Sequence, residues 1–259
     1  MAVKQDIGSV ESFGWQWTQR KVYDTRRELY RKLCTSRGVW YDYYDGKVVA
    51  DVGSGNGRFT YALALLTKAK EILSVELSPE ALENQKRHIN DPRVTFIQGD
   101  AATVKFKADV IYAAGFIQHT ADPLATLKNL IDNLNDDGEI LISFYKVTLM
   151  TRLLEPLRSV LKRLPKKTLW SLTPLLGWIF YLRKSSRALG YINARHTAYD
   201  WFGSHEYQYY FTDAQIRDYF QQCGIHPNNV LHVSGGLYRA RKGDFPLQLD
   251  DELITFWPD

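Results

Sequence analysis

The chain has 259 residues, 45% hydrophobic and 24% charged, which is ordinary for a soluble globular protein with one large domain or a domain with a cap. Its formal net charge of +4 is too weak to imply a nucleic-acid partner, and an N-terminus with acids and no apolar stretch argues against a secretion signal. The two cysteines, Cys34 and Cys223, are far apart and lack metal spacing, so they fit a reduced cytoplasmic protein rather than a disulfide scaffold.

Residues 1–15 read as loop. From Gln16 to Leu33 the spacing of Val22, Leu29, Tyr30 and Leu33 predicts a helix with one buried side. Residues 34–46 form a connection containing Trp40, Tyr41, Tyr43 and Tyr44. Residues 47–52 read as a buried strand that breaks at Gly53-Ser54-Gly55-Asn56-Gly57 and enters a helix ending near Thr67. Residues 71–77 are a second strand. Ser78-Pro79-Glu80 opens a helix, with Ser as N-cap, Pro at the first helical position and an acid in the first turn. Residues 94–98 and 108–113 are further strands. Asp122-Pro123 starts a helix with Leu124, Leu127, Leu130, Ile131 and Leu134 at core spacing, and Asp136-Asp137-Gly138 turns into a strand over 139–145. Strands alternating with helices indicate a parallel sheet covered on both faces. Thr212-Asp213-Ala214-Gln215 is a capping box for a last helix, which ends near Gly224. Residues 230–233 and 237–241, joined by Ser234-Gly235-Gly236, predict a closing hairpin.

The charge is unevenly placed. Residues 146–190 hold ten basic residues against one acid, Glu155, a net of nine positive charges that leaves the remainder five negative. Between the basic clusters lies the apolar run 169–182, too short and interrupted to span a membrane. It reads as an apolar lid, a dimer face or an interfacial helix on an anionic membrane surface, or as a helix pair solubilised by Lys and Arg stems.

The stretch that organises the chain is 48–59. Glycines at alternate positions leave no Cβ to block a close ligand, and the N–H groups opening the next helix point into the same space. The pattern is G-x-G-x-G rather than the G-x-G-x-x-G of dinucleotide binders, and no Gly-Lys-Ser/Thr follows as in a phosphate loop. Asp51 stands just before it, where a pyrophosphate would meet negative charge; a cofactor with a cationic centre and an amino group tolerates that acid better. Glu76, at the end of the second strand, is placed to accept both hydroxyls of a ribose, or is a solvated strand-end acid. Asp100 in Gly99-Asp100-Ala101 is placed to accept from an adenine amino group, or is a turn residue. All three lie at successive strand ends, where open α/β sheets bind ligands.

Val49-Ala50-Asp51-Val52-Gly53-Ser54-Gly55-Asn56-Gly57 resembles motif I of the class I S-adenosylmethionine-dependent methyltransferases. Val75-Glu76-Leu77-Ser78 resembles their ribose-binding segment and Gln98-Gly99-Asp100-Ala101 their adenine-binding one. Residues 115–123 are similar to the segment after strand four in the UbiE-like, type 11 group, and Phe13-Gly14-Trp15-Gln16-Trp17 looks like an N-terminal cap found in some members. The resemblance covers roughly 47–145. It implies a Rossmann-like α/β fold: a seven-stranded, mostly parallel sheet with an antiparallel C-terminal hairpin strand, a helical N-terminal cap (1–46) and a helical insertion (146–195) that divides the core into 47–145 and 196–259. It also implies S-adenosylmethionine as cofactor. Gly53, Gly55 and Gly57 would form the floor, Asp51 would hold the methionine end and Glu76 the ribose. Leu77 would pack on the adenine, Asp100 and Ala101 would take its edge, and Gly115 would line the methionine portion.

His119, just past strand four, is the catalytic candidate. An imidazole titrates at about 6.5 and can take a proton from a hydroxyl or an activated carbon during transfer; the alternative is a packing role at the start of the next helix. His88, His226 and His232 read as surface, loop and strand residues. His196 and His205, with Tyr207, Tyr209 and Tyr210 nearby, read as an aromatic cluster or a substrate-facing group. No metal-ligand cluster is present in the sequence, and no Asn/Asp-Pro-Pro-Tyr segment follows strand four, which disfavours adenine nitrogens as acceptor. The expectation is methyl transfer to oxygen or carbon of a small molecule, anionic, lipid-linked or bulky and hydrophobic, with no nucleic-acid partner, in the cytoplasm or at a membrane surface through 146–190. Competing readings are a cofactor-binding partner protein without turnover and a nicotinamide-dependent oxidoreductase, which the glycine spacing disfavours.

Overall fold

The computed structural model describes residues 26–34, 36, 38–182, 190–203 and 207–243. The expected helix start at Gln16, the Phe13–Trp17 segment, His205 and the tail from 244 lie outside them. The described chain divides into two compact units, 147–208 and the remainder.

The larger unit is an α/β sheet. Its elements are α1 (Arg26–Leu33), β1 (Val48–Val52), α2 (Arg58–Leu66), β2 (Glu71–Glu76), α3 (Pro79–Lys86), β3 (Val94–Gln98), β4 (Ala108–Ala114), α4 (Pro123–Asp132), β5 (Leu134–Ser143), and, after the smaller unit, α8 (Asp213–Gln222), β6 (Val230–Ser234) and β7 (Leu237–Arg241). The strand order is β3-β2-β1-β4-β5-β7-β6. The first five strands are parallel, and β7 joins β5 and β6 antiparallel. This is the expected Rossmann-like, seven-stranded arrangement. The chain leaves β1 in one direction for β2 and β3 and returns across β1 to β4. The carboxyl ends of β1 and β4 therefore flank the crossover where such sheets bind ligands.

Alternation along each strand supplies both faces of the core. Ala50, Val52, Ile111, Ala113, Ile140 and Ile142 pack into one cluster with residues of α4 and α8. Val49, Val110, Tyr112 and Leu141 pack into the other with Leu29 and Leu33 of α1 and Leu63 of α2. That is the period-two pattern of a sheet buried on both sides.

Local signals set the helix starts. Ser78 accepts from the Ala81 N–H, with Pro79 at the first helical position, and Asp122 accepts from the Ala125 N–H ahead of Pro123. Thr212 and Gln215 form the reciprocal capping box of α8. One boundary differs from expectation. Leu134 opens β5 rather than closing α4, because it pairs with Ala108. Pairing then resumes at Val110 with Glu139, so Asp136-Asp137-Gly138 is extruded from the ladder as an irregularity in the strand, with Asp137 at φ 61°.

The smaller unit is helical: α5 (Leu149–Leu161), α6 (Lys166–Tyr181) and α7 (Gly190–Phe202). Its core is aromatic. Phe180 meets Trp201 and Phe202, and Trp170 meets Tyr199. Among the described residues no helix is long and apolar enough to cross a membrane.

Candidate functional site

The site grows from the turn between β1 and α2. Gly53, Gly55 and Gly57 have φ values of 67°, 57° and 77°, a region costly for any residue with a Cβ. Two of them have partners inside the protein. A Cβ on Gly53 would lie 2.5 Å from the Phe116 ring, and one on Gly57 would lie 2.7 Å from Gln85 and 2.8 Å from Ile89. These glycines admit neighbouring side chains of the same fold, which the expectation of a bare ligand floor did not foresee.

Glu76, at the end of β2, reaches under the turn. Its Oε2 accepts from the Gly55 N–H at 2.8 Å, and its Oε1 accepts from the N–H groups of Leu77 and Ser78, each at 3.0 Å. Glu76 is buried, not the solvated strand-end acid of the alternative reading. Burial raises its pKa, and the three N–H donors oppose that rise. Leu77 is half-buried beside it.

Asp51 is buried at the end of β1, where Thr60 Oγ1 donates to its Oδ2 at 2.7 Å. Burial pushes its pKa up to about 6, against the opposing hydrogen bonds from Thr60. A polar web continues from there. Thr60 Oγ1 lies 3.1 Å from Ser74 Oγ, which lies 2.7 Å from Gln85 Oε1 and 2.9 Å from Ser54 Oγ. The Gln85 amide N–H₂ donates to Ser54 Oγ at 2.8 Å and to the Gly55 carbonyl at 2.9 Å. Residues from β1, α2, β2 and α3 thus hold the glycine turn in one shape. Nothing local in the sequence marks Ser54, Ser74 and Gln85 as a set.

After β3, Asp100 accepts from the Ala102 N–H through Oδ1 at 2.8 Å, so it does shape its turn. Ala101 is buried, and its carbonyl accepts from Asn129 at 2.9 Å. After β4, Gly115 has φ 77°, and a Cβ there would meet nothing within 4 Å, so the backbone borders open space. Its N–H donates to Ser143 Oγ at the end of β5, at 2.8 Å.

His119 closes a 3-10 turn, Ile117–His119, directly after β4, and its N–H donates to the Phe116 carbonyl at 2.8 Å. Its buried ring stands edge-to-face with Tyr145, centroids 5.4 Å apart, and Tyr145 stacks on Tyr210 at 6.2 Å. The strand-like segment 209–211 brings Tyr210 there: the Tyr209 N–H donates to the Gln118 carbonyl and the Phe211 N–H to the Tyr145 carbonyl. Ser143 ends β5 and Tyr145 follows it, so both could have been found from the rule that ligands gather at carboxyl strand ends. Gln118 gave no signal. It is completely buried, yet neither its amide oxygen nor its nitrogen has a hydrogen-bond partner. His196 lies on α7 in the smaller unit, and nothing further is described of its side chain.

The donor set suits the cofactor that the resemblance implies. The backbone at Gly115 borders open space, the buried carboxylates of Asp51 and Glu76 stand at the ends of β1 and β2 with Glu76 bound to the middle of the glycine turn, and the Gln118 amide lies buried and unmatched nearby in sequence.

A family model described as a methyltransferase domain matches residues 44–214. The chain is 29% identical over 135 residues to a ubiquinone biosynthesis O-methyltransferase of Actinobacillus pleuropneumoniae, covering 48% of this chain and 57% of that protein. It is 31% identical over 106 residues to a tRNA U34 carboxymethyltransferase of Aliarcobacter butzleri, covering 39% and 34%. The chain thus matches little more than half the length of these relatives at most. Its fold is similar to that of a magnesium protoporphyrin IX methyltransferase from Synechocystis solved with SAH bound, with a TM-score of 0.53 at 16% identity over 88% of this chain and 84% of that one.

Proposed function

The chain belongs to the methyltransferase-domain family, and from that premise we propose that it methylates an oxygen or carbon of a hydrophobic or lipid-linked small molecule, with S-adenosylmethionine as methyl donor. When bound, that cofactor supplies a sulfonium methyl carbon open to attack by a nucleophile. The protein's part is placement. Glu76 takes the ribose, Leu77 covers the adenine, and Asp100 with Ala101 takes the adenine edge. Asp51 balances the cationic methionine end, with the glycine turn beneath and Gly115 alongside. Holding the acceptor in line with the methyl group supplies most of the rate.

The observation that carries the acceptor chemistry is His119, held against Tyr145 on the turn that leaves β4. A ring nitrogen of His119 takes the proton that an acceptor hydroxyl or activated carbon loses as the new bond forms. Tyr145 against His119, with Tyr210 stacked behind it, suits a hydrophobic acceptor better than a phosphate-rich one. The resemblance to ubiquinone O-methyltransferases supports the same class. A cytoplasmic setting is supported by two unpaired thiols, Cys34 and Cys223.

The relatives named tRNA U34 carboxymethyltransferase favour a second reading, an RNA acceptor. Incubation with methyl-labelled cofactor and a cell extract separates the two. Label in the solvent-extractable fraction that is lost with His119→Ala supports the proposal, and label confined to RNA overturns it.

A further inference from the structure

Helix α5 is built inside out for a water-soluble protein. Leu149, Leu153, Leu157 and Val160 recur at helical spacing along one stripe, and that stripe faces solvent, with Leu149 74%, Leu153 69% and Val160 63% exposed. The buried side of the same helix carries Thr151 and Arg158. Arg158 is held there by Glu155 and Gln208, each at 3.0 Å. The next helix exposes Leu175 and Trp178, and Leu182 directly after it is exposed too. Single exposed leucines need no explanation, but a run of them along one helix marks a contact surface.

Charge identifies what the surface meets. Arg152 is exposed on α5 beside the apolar stripe, Arg163 is exposed just past the end of the helix, and Lys167 is exposed at the start of α6. Residues 147–203 carry ten basic side chains and two acids, Glu155 and Asp200. Glu155, the one acid on α5, is engaged by Arg158. An apolar stripe flanked by arginines, with an exposed Trp on the neighbouring helix, fits the boundary between anionic headgroups and acyl chains. A second copy docked face to face would set Arg152 and Arg163 against their own like charges. RNA would leave the leucines unpaired with anything apolar. The helix is too short to span a bilayer.

The geometry points to the exposed Leu149–Val160 stripe of α5, with its flanking arginines, as a docking surface for an anionic lipid bilayer. This goes beyond the proposed reaction and does not depend on it, since lipid binding needs neither cofactor nor acceptor.

The test is co-sedimentation of the full chain with vesicles of phosphatidylcholine alone or with about a third phosphatidylglycerol. Wild type is expected to pellet with the anionic vesicles and to be released by salt. The triple variant Leu149→Ser, Leu153→Ser, Val160→Ser and the double variant Arg152→Glu, Arg163→Glu are each expected to bind at least about tenfold more weakly. Both alter outward side chains, and retained cofactor binding by calorimetry shows that the fold survives. Equal recovery with neutral and anionic vesicles, or unchanged binding by the triple variant, overturns the proposal. So does failure to bind vesicles, whether the chain instead dimerises through the leucines or binds RNA through the arginines.

Discussion

The Gly55 N–H donates to Oε2 of Glu76 at 2.8 Å, tying the centre of the glycine turn to the end of the neighbouring strand. With Leu77 and Ser78 on Oε1, that carboxylate holds three backbone donors. A carboxylate offers about four acceptor sites, so only about one remains, on Oε2. A ribose diol gripped through both hydroxyls must therefore displace one of the three N–H groups. Gly55 is the one to yield, since Leu77 and Ser78 are bound within their own turn. Cofactor binding is thus expected to change the Gly55 amide more than those of Leu77 and Ser78, as amide chemical shifts on titration would show. A Gly55 amide unmoved by saturating cofactor would contradict this coupling.

The glycines of the site divide into two kinds. Gly53→Ala places a Cβ against Phe116 at positive φ, so it is expected to destabilise the fold by roughly 2–4 kcal/mol through strain and overpacking. Gly115→Ala meets no atom and bears only the left-handed backbone cost, roughly 1–2 kcal/mol. Its methyl group projects into the space proposed for the cofactor. Thermal unfolding should show the larger loss for Gly53→Ala, whereas calorimetry should show Gly115→Ala losing affinity while still folded.

Asp51 makes stability depend on pH. Its carboxyl titrates at about 6 in the fold against an ordinary 3.8. Below pH 3.8 both folded and unfolded chains carry the proton, and its burial costs no ionisation. Between these values the folded chain holds the proton while the unfolded chain gives it up, so stability falls as pH rises, by up to about 3 kcal/mol. Asp51→Asn removes that dependence. Its melting temperature relative to wild type should climb between pH 4 and 6 and then level off, and a difference constant across that range would contradict the assignment. A cationic methionine end near Asp51 favours the ionised form, so wild-type cofactor affinity should rise over the same interval.

Gln118 is the residue least accounted for by packing. Its unpaired, buried amide costs roughly 1–3 kcal/mol. Gln118→Leu is expected to leave the fold as stable or more so. If the amide serves a bound acceptor or cofactor, turnover falls while the melting temperature does not. Steady-state kinetics beside thermal unfolding separates this from a purely structural role.

Much of the framework was legible because its signals are local. Ser78-Pro79, Asp122-Pro123 and the Thr212–Gln215 box each act within one helical turn, and the apolar run of β1 marks a buried strand from its own residues. What was hidden depends on pairing. Leu134 carries the spacing of α4 but is claimed by Ala108 for β5. Ser54, Ser74 and Gln85 are ordinary polar residues until the fold brings them within 2.9 Å of one another across 31 positions of sequence. Gly53 and Gly57 were legible as special, but their reasons, Phe116 and Gln85, lie on other segments. His119 was found because it follows a strand end in a recognisable run and Tyr210 was noted among neighbouring tyrosines, but Tyr145, which joins the two, belongs to no such run.

The most direct measurement is calorimetric titration of S-adenosylmethionine into wild type and Glu76→Ala, with thermal unfolding as a check on folding. The account predicts saturable binding by wild type and at least about a tenfold loss in the folded variant, from the loss of charge-assisted hydrogen bonds. Equal affinity in the two folded proteins would contradict the placement of the cofactor on the Asp51–Glu76 turn.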